Sequence, residues 1–405
     1  MTTEMHPLTL APARRAELVS GFQAAFSARP DRFFSAPGRT EIGGNHTDHQ
    51  HGYGLAAAVT LDLVAVAARN TDGYVRVKSR GFNKLDVIDL TVAGPQEGEE
   101  TPSASLIRGI AEGFRAVGKK VGGFDAYTAS DVLRGSGLSS SAAFEMGMAV
   151  IWNGEYDCGL APTELAKICQ YAENTYFGKP SGLLDQLTSA VGGIIFADFA
   201  DPTSPQIEKI HTDGLLPPGM SLCVTDTRGS HSELTSEFAA IRKEMEQVAG
   251  TLGKKVLGQV TESEFWAALP ELRSKCGDRA VLRAIHYFEE NTRTLAQRDA
   301  LQAGKFAIFA ALVLESGRAS FALCQNVYCS TDVRHQGLSV ALALSQCILQ
   351  GSGAWRMQGG GFAGTIQAYV PRELLERYHS EIERVFGAGS CYVLRLREQG
   401  AVRVD

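Results

Sequence analysis

The sequence predicts an α+β fold in two lobes, and three features carry that expectation. Strand-like and helix-like segments intermix without the regular spacing of a βαβ series. A stretch from Ser232 to about Leu314 is mostly helical in pattern, with long charged faces. A loop-like DPTSP at 201–205 precedes it, so the boundary is expected there, with residues 1–205 as the N-terminal lobe and 206–405 as the C-terminal lobe. The length of 405 residues suits two large domains.

Taken in order, residues 11–30 read as a helix and Asp31–Ala36 as a short strand running into a glycine-rich turn. Tyr53–Arg69, rich in Ala, Val and Leu, is either a buried strand pair or a helix, because periodicity alone does not separate them. Thr71-Asp72-Gly73 reads as a hairpin turn between two strands. Glu97–Thr101 is an acidic surface loop and Ser105–Val117 an amphipathic helix. Gly123–Asp131, Leu133–Ser141 and Ala142–Trp152 form strand, loop and helix. Pro162–Phe177 is a helix with Leu165, Ile168, Cys169 and Ala172 on one face. Gly192–Phe199 and Met220–Thr225 are buried strands, and Ser339–Leu349 is a helix. Pro371–Val385 is a helix with proline at its first position, and Cys391–Arg397 is a final strand.

Composition removes several classes of function. A net charge of −6 argues against a general nucleic-acid binder, which needs a basic face. No uninterrupted apolar run reaches the length of a membrane span, and no secretory signal is expected at the N-terminus. The eight cysteines are scattered without C-x-x-C or paired Cys/His spacing, which reads as free thiols in a cytoplasmic protein. Glycine is in excess, 43 of 405 residues, and glycine-rich loops in a folded enzyme would absorb it.

Four segments carry chemistry. LRGSGLSSSAA at 133–143 places small residues and hydroxyls just before a helix. Its backbone N–H groups and the helix N-terminus suit a phosphate, and its serines add donors or one oxygen ligand for a cation. It has no lysine and is not a Walker A loop. PGRTEIGGNHTDHQHG at 37–52 concentrates Arg39, Glu41, Asn45, His46, Asp48, His49 and His51, a set of donors and acceptors suited to a polyhydroxylated ligand. Its three histidines also open a metal-site reading. YAENTYFGKPSGLLDQ at 171–186 can bring Glu173 and Asp185 to one cleft, one carboxylate for Mg²⁺ and one beside an attacking hydroxyl. RMQGGGFAGT at 356–365 needs its backbone to pass close to a ligand or another loop.

Together, and in this order and spacing, the four segments resemble the galactokinase family of the GHMP kinase superfamily over essentially the whole chain. Residues 37–54 are similar to the family's sugar signature, 135–143 to the superfamily phosphate loop and 356–364 to its third, glycine-rich motif. The resemblance implies the two-lobed GHMP kinase fold, with mixed sheets and helices and the active site between lobes. It implies ATP-dependent phosphorylation of the C1 hydroxyl of galactose, with Mg²⁺. Carried over by position, Asp185 is the catalytic carboxylate and Arg39 its partner at the transferring phosphoryl. Asp185 either takes the C1 proton or, with Arg39, only orients the hydroxyl. Gly135, Gly137, Ser139, Ser140 and Ser141 bind the nucleotide phosphates, and Ser141 and Glu173 hold Mg²⁺. Asn45, His46, Asp48, Gly182 and Phe238 fall on the sugar side.

Two positions depart from the family pattern. Asn45 stands where the family usually has Glu at the C6 end of the sugar, and Phe238 where it usually has Tyr. An uncharged Asn45 would tolerate a C6 carboxylate better, which keeps open a kinase for a C6-modified galactose such as galacturonate. A regulator that binds sugar and ATP without turnover is a further alternative. A small-molecule substrate is expected, with no nucleic-acid or membrane partner, in a monomer or weak homo-oligomer.

Overall fold

The long apolar stretch after the histidine-rich loop is a single 17-residue strand, Tyr53–Arg69. Both of its faces are covered. Leu63, Ala65 and Ala67 point into the main core, while Val64 and Val66 point into a smaller cluster on the opposite face. Burial on both faces explains the run without alternation that sequence periodicity does not resolve. The computed structural model describes residues 8–30, 32–97, 102–132, 137–179, 181–211, 216–229 and 234–404.

In chain order the first half contains α1 (Pro12–Phe26), β1 (Arg32–Gly43), β2 (Tyr53–Arg69), β3 (Tyr74–Ser79), β4 (Leu85–Asp89), α2 (Pro102–Ala116), β5 (Phe124–Ser130), α3 (Ser140–Glu155), α4 (Pro162–Thr175), α5 (Leu184–Val191), β6 (Ile194–Asp198) and β7 (Gln206–Ile210). The second half contains β8 (Met220–Asp226), α6 (Thr235–Thr251), α7 (Glu262–Ala267), α8 (Leu269–Cys276), α9 (Asp278–Gln302), α10 (Phe306–Ala319), α11 (Gly337–Leu349), β9 (Ala354–Met357), β10 (Thr365–Pro371), α12 (Arg372–Phe386), β11 (Cys391–Leu394) and β12 (Val402–Val404). A π-helical turn, Ser320–Cys324, extends α10.

One sheet has eight strands along the path β12-β1-β2-β5-β3-β4, with β6 pairing β2 and β7 pairing β6. The N-terminal half of β2 pairs β6 and its C-terminal half pairs β5, so its length joins two strand sets. The second sheet, β11-β8-β10-β9, has four strands. The sheets therefore divide between Ile210 and Met220, but β12 returns to the first sheet from the far end of the chain. The division at residue 205 is a proposal for the lobes as units.

Three local expectations need correction. β1 does not stop at Ala36; it continues to Gly43 through register shifts at Pro37/Arg39 and Glu41/Gly43. The proline sits at an irregularity, where a missing ladder donor is tolerated. Thr71-Asp72-Gly73 does not close a hairpin, because β5 lies between β2 and β3 and runs parallel to β3. Pro371 ends β10 and caps α12 rather than opening it. Of the acidic stretch 97–101, residues 98–101 lie outside the described residues.

Among the described residues, Phe306–Cys324 is the one helix long and apolar enough to cross a membrane. It carries Glu315 and Arg318, and Phe309 and Val313 anchor it in the main core. All eight cysteines are free thiols.

Candidate active site

The irregularities in β1 turn Arg39 into the cleft, as bulges beside functional sites commonly do. The Arg39 amide donates to the Leu138 carbonyl (3.0 Å), which fastens the end of the phosphate loop to the strand. The guanidinium is buried and forked onto Asp185, Nε to Oδ1 at 2.6 Å and Nη2 to Oδ2 at 2.7 Å. Its remaining nitrogen, Nη1, donates to the Gly137 carbonyl (2.5 Å). Ser139 Oγ also donates to Asp185 Oδ2.

Asp185 lies in the first turn of α5, where a negative charge is favoured. Burial raises its pKa, but the Arg39 charge and the Arg39 and Ser139 hydrogen bonds more than reverse this, leaving the carboxyl below its ordinary value. Oδ2 takes two donors and Oδ1 takes one. A carboxylate oxygen has about two lone-pair sites, so Oδ1 keeps one for a ligand hydroxyl.

Asp48 closes the other side. Its Oδ1 accepts from the His49 amide (2.8 Å), and a Cβ at Gly182 would overlap its Oδ2. Glycine at 182 is thus what lets the α4–α5 turn pass over this carboxylate. Burial, reinforced by the Asp185 charge, pushes the Asp48 pKa up to about 6. Gly182→Ala should displace Asp48 and raise the KM for the sugar by roughly tenfold or more, about 1.4 kcal/mol. Steady-state kinetics check this, and an unchanged KM would separate Asp48 from sugar binding.

Ser139 has left-handed backbone geometry (φ 57°) and caps α3, whose first residues are Ser140 and Ser141. The first-turn N–H groups of a helix lack intrahelical partners and favour an anion. Gly137 is also left-handed (φ +68°), and a Cβ there would meet Thr365 Oγ1 at 2.7 Å, so the phosphate loop touches the start of β10. Gly135 lies outside the described residues.

Glu173, buried on α4, is heavily engaged. Oε1 accepts from Lys179 Nζ (2.7 Å), and Oε2 from Ser181 Oγ (2.5 Å) and Gln186 Nε2 (2.9 Å). Gln186 Nε2 also reaches Glu145 Oε2 (3.1 Å), and Glu145 is pushed well above the carboxylate range by burial and by Glu173. Among the described residues, Glu145 Oε1 and Gln186 Oε1 are buried without a hydrogen-bond partner. Glu173 and the unmet oxygens of Glu145 and Gln186 beside it are hard-oxygen donors of the kind that suits Mg²⁺.

The sugar-loop residues are also tied to one another and to the glycine-rich motif. Asn45 is only 1% exposed. Its Nδ2 donates to Glu41 (3.0 and 3.3 Å) and to the Gly359 carbonyl (2.7 Å), and its Oδ1 accepts from Asn326 Nδ2 (2.9 Å). Both amide hydrogens are therefore used within the protein. Glu41, in turn, pairs with the fully buried Arg356 at 2.9 Å, and burial pushes its pKa up to about 7. Asn45 is itself uncharged, but a carboxylate, Glu41, lies beside it and is paired with Arg356.

His46 and His49 form a directed chain. The Leu257 amide donates to Gln50 Oε1 (3.1 Å), and Gln50 Nε2 lies 3.2 Å from His49 Nδ1. His49 Nε2 is 3.3 Å from His46 Nδ1, and His46 Nε2 is 3.0 Å from the Gly360 carbonyl. The terminal amide donor and carbonyl acceptor set the direction, so each ring carries its hydrogen on Nε2 and both are neutral. Burial agrees, lowering the His46 pKa to about 4. This spends the histidines on bridging the sugar loop to the glycine-rich motif, and among the described residues no group of three or more His, Cys, Asp and Glu is placed to hold a metal. Phe238, on α6, stacks edge-to-face on Phe362 (5.4 Å) and lies against Gly360.

Arg39, Asp48, Gly137, Ser139, Gly182 and Asp185 thus meet in one cleft, with Glu173 tied to it through Gln186. Glu41, Lys179, Gln186 and Arg356 take roles that sequence reasoning does not assign, although all four lie inside the motif segments. Only their spatial pairing reveals them.

Comparison with known proteins places this cleft in a family. Residues 20–69 match the galactokinase galactose-binding signature and residues 105–193 the N-terminal domain of GHMP kinases. A galactokinase of Streptomyces coelicolor is 31% identical over 382 residues, 93% of this chain and 94% of that one. The fold is similar to that of Lactococcus lactis galactokinase complexed with galactose, with a TM-score of 0.84 at 23% identity, covering 96% of this chain and 99% of that one. It is also similar, more distantly, to Methanococcus jannaschii mevalonate kinase, with a TM-score of 0.63 at 15% identity over 91% and 99% of the two chains. With its forked Arg39–Asp185 pair set between the sugar signature and the phosphate loop, the chain belongs to the galactokinase family, sugar kinases of the GHMP superfamily.

Proposed function

We propose that this protein transfers the γ-phosphoryl group of ATP to the C1 hydroxyl of galactose, giving galactose 1-phosphate and ADP. The observation that carries the reading is the Arg39 fork on Asp185, with Gly137 and Ser139 of the phosphate loop bonded to the same two side chains.

On this reading the residues divide the work. The α3 N-terminus with Gly135, Gly137, Ser139, Ser140 and Ser141 receives the phosphates, and the Arg39 charge faces the transferring group. Asp48, at the Gly182 turn, accepts from sugar hydroxyls, while Asn45, His46 and Phe238 shape the surrounding loop. Asp185 Oδ1 accepts from the C1 hydroxyl and aims its oxygen at phosphorus. A carboxylate held below its ordinary pKa is a weak base. Such a carboxylate suits late transfer of the C1 proton to Oδ1, once the sugar oxygen has begun bonding to phosphorus and that proton has become acidic. A loose phosphoryl-transfer transition state asks for positioning and charge neutralisation more than for early proton removal. Ser141 and Glu173 would hold Mg²⁺, which neutralises phosphate charge when bound. Eight free thiols suit a reducing compartment such as the cytoplasm.

Product profiling tests the reading. With ATP and, separately, galactose, galacturonate, N-acetylgalactosamine and glucose, galactose should show the highest kcat/KM, by roughly tenfold or more, and phosphorus NMR should show a 1-phosphate. A higher kcat/KM for galacturonate would overturn galactose as the substrate, and binding of sugar and ATP without product would favour the regulator.

A further inference from the structure

We infer that Lys179 competes with the divalent cation for Glu173 and so makes metal binding wait for the nucleotide. The inference rests on the reading of Glu173 as a Mg²⁺ ligand. Lys179 follows α4 on the turn that leads to Gly182, and its Nζ lies 2.7 Å from Glu173 Oε1. The two partners are unequal: the lysine side chain is 55% exposed and the glutamate 2%. A half-exposed lysine on a buried carboxylate contributes little to stability, because its ammonium is compact, well hydrated and carried on a flexible stem.

Glu173 does not depend on that ammonium for its hydrogen bonds. Ser181 Oγ and Gln186 Nε2 both donate to Oε2, so removal of Lys179 leaves the carboxylate held in place with Oε1 open. Among the described residues, the lysine thus covers the Glu173 oxygen that takes no other hydrogen bond.

Charge pairing points the same way. Lys179 sits on Glu173 and Arg39 on Asp185, one cation on each carboxylate. With its own ammonium in place, Glu173 has less Coulombic attraction for a free divalent cation. A triphosphate arriving at the α3 N-terminus changes the balance by adding several negative charges. Lys179, long and exposed, then gains phosphate oxygens as partners, and Glu173 Oε1 becomes free for the cation that accompanies them. Metal and nucleotide enter together, and the lysine moves from a carboxylate to a phosphate.

The probe is Mn²⁺, which takes similar oxygen ligands and whose free form is counted by electron paramagnetic resonance. In the full-length, nucleotide-free protein, Lys179→Met should strengthen Mn²⁺ binding by at least about tenfold, and Lys179→Arg should leave it as in the wild type. Adding Glu173→Gln to Lys179→Met should abolish the gain, and a non-hydrolysable ATP analogue should erase the difference between Lys179→Met and wild type. Thermal melts establish that each variant is folded. A folded Lys179→Met protein that binds Mn²⁺ no better than wild type overturns the inference, as does a gain that survives Glu173→Gln. Sugar phosphorylation is measured separately, so its failure would count against the proposed reaction without altering the Mn²⁺ result.

Discussion

Asp185→Asn should lower kcat by roughly 10²–10⁴-fold while the KM values for sugar and ATP stay within about threefold. The substitution preserves shape and leaves Oδ1 as an acceptor toward Arg39 Nε. It removes the charge that pairs with the guanidinium, and it places an amide NH₂ where Oδ2 now accepts from Arg39 Nη2 and Ser139 Oγ. Two donors would then face a donor. The oxygen best placed for the C1 hydroxyl survives as a weaker acceptor that cannot take up the proton. Arg39 is buried and would lose its counter-ion, so some stability is lost as well, at most about 3 kcal/mol given the 36% exposure of the Asp185 side chain. Rates should therefore be compared well below the melting temperature of the variant. Retention of more than about a tenth of kcat, a difference under 1.4 kcal/mol, would remove Asp185 from the reaction.

Arg39→Lys should be nearly as damaging, with kcat reduced about 10²-fold, although charge is conserved. The guanidinium performs three tasks from one plane: two parallel bonds to Asp185 and one to the Gly137 carbonyl. A single ammonium on a flexible stem cannot reproduce that fork. Asp185 would keep a cation nearby but lose its fixed orientation, and the phosphate loop would lose its tie to β1 through Gly137. The loss should appear in kcat for galactose and in the KM for ATP. A kcat above a tenth of the wild-type value would show that only the charge at 39 is needed.

Arg39 and Asp185 stand out in the sequence as polar residues of their motif segments, but the roles expected of them come from the family resemblance. Their pairing is legible only through family resemblance, since 146 residues separate them. The path of β1 is not legible. Pro37, Gly38, Gly43 and Gly44 are turn formers in isolation, and what keeps β1 extended through the first three is the ladder to β2, from Arg32↔Ala67 to Gly43↔Leu55. The false hairpin at Thr71-Asp72-Gly73 has a related cause: the turn chemistry is local, whereas the insertion of β5 between its arms is decided by strands some fifty residues apart. β12 is three residues long, too short for a periodic signal, and exists because Val404 and Val402 complete the edge of β1.

The sequence does not reveal where polar side chains serve one another. The resemblance puts Asn45 on the sugar side, and its amide also bonds Glu41, Gly359 and Asn326, the last two some 300 residues away in sequence. Lys179 carries no sign of a role within its motif, because nothing local says that it bends back over Glu173.

A crystal structure of the protein with galactose and a non-hydrolysable ATP analogue tests the central claim most directly, through one distance. The account predicts the C1 hydroxyl oxygen within hydrogen-bond reach of Asp185 Oδ1, roughly 2.6–3.2 Å, with the terminal phosphate at the α3 N-terminus on the opposite side of that oxygen. A sugar bound with C1 turned away from Asp185, or with another hydroxyl in its place, would contradict it.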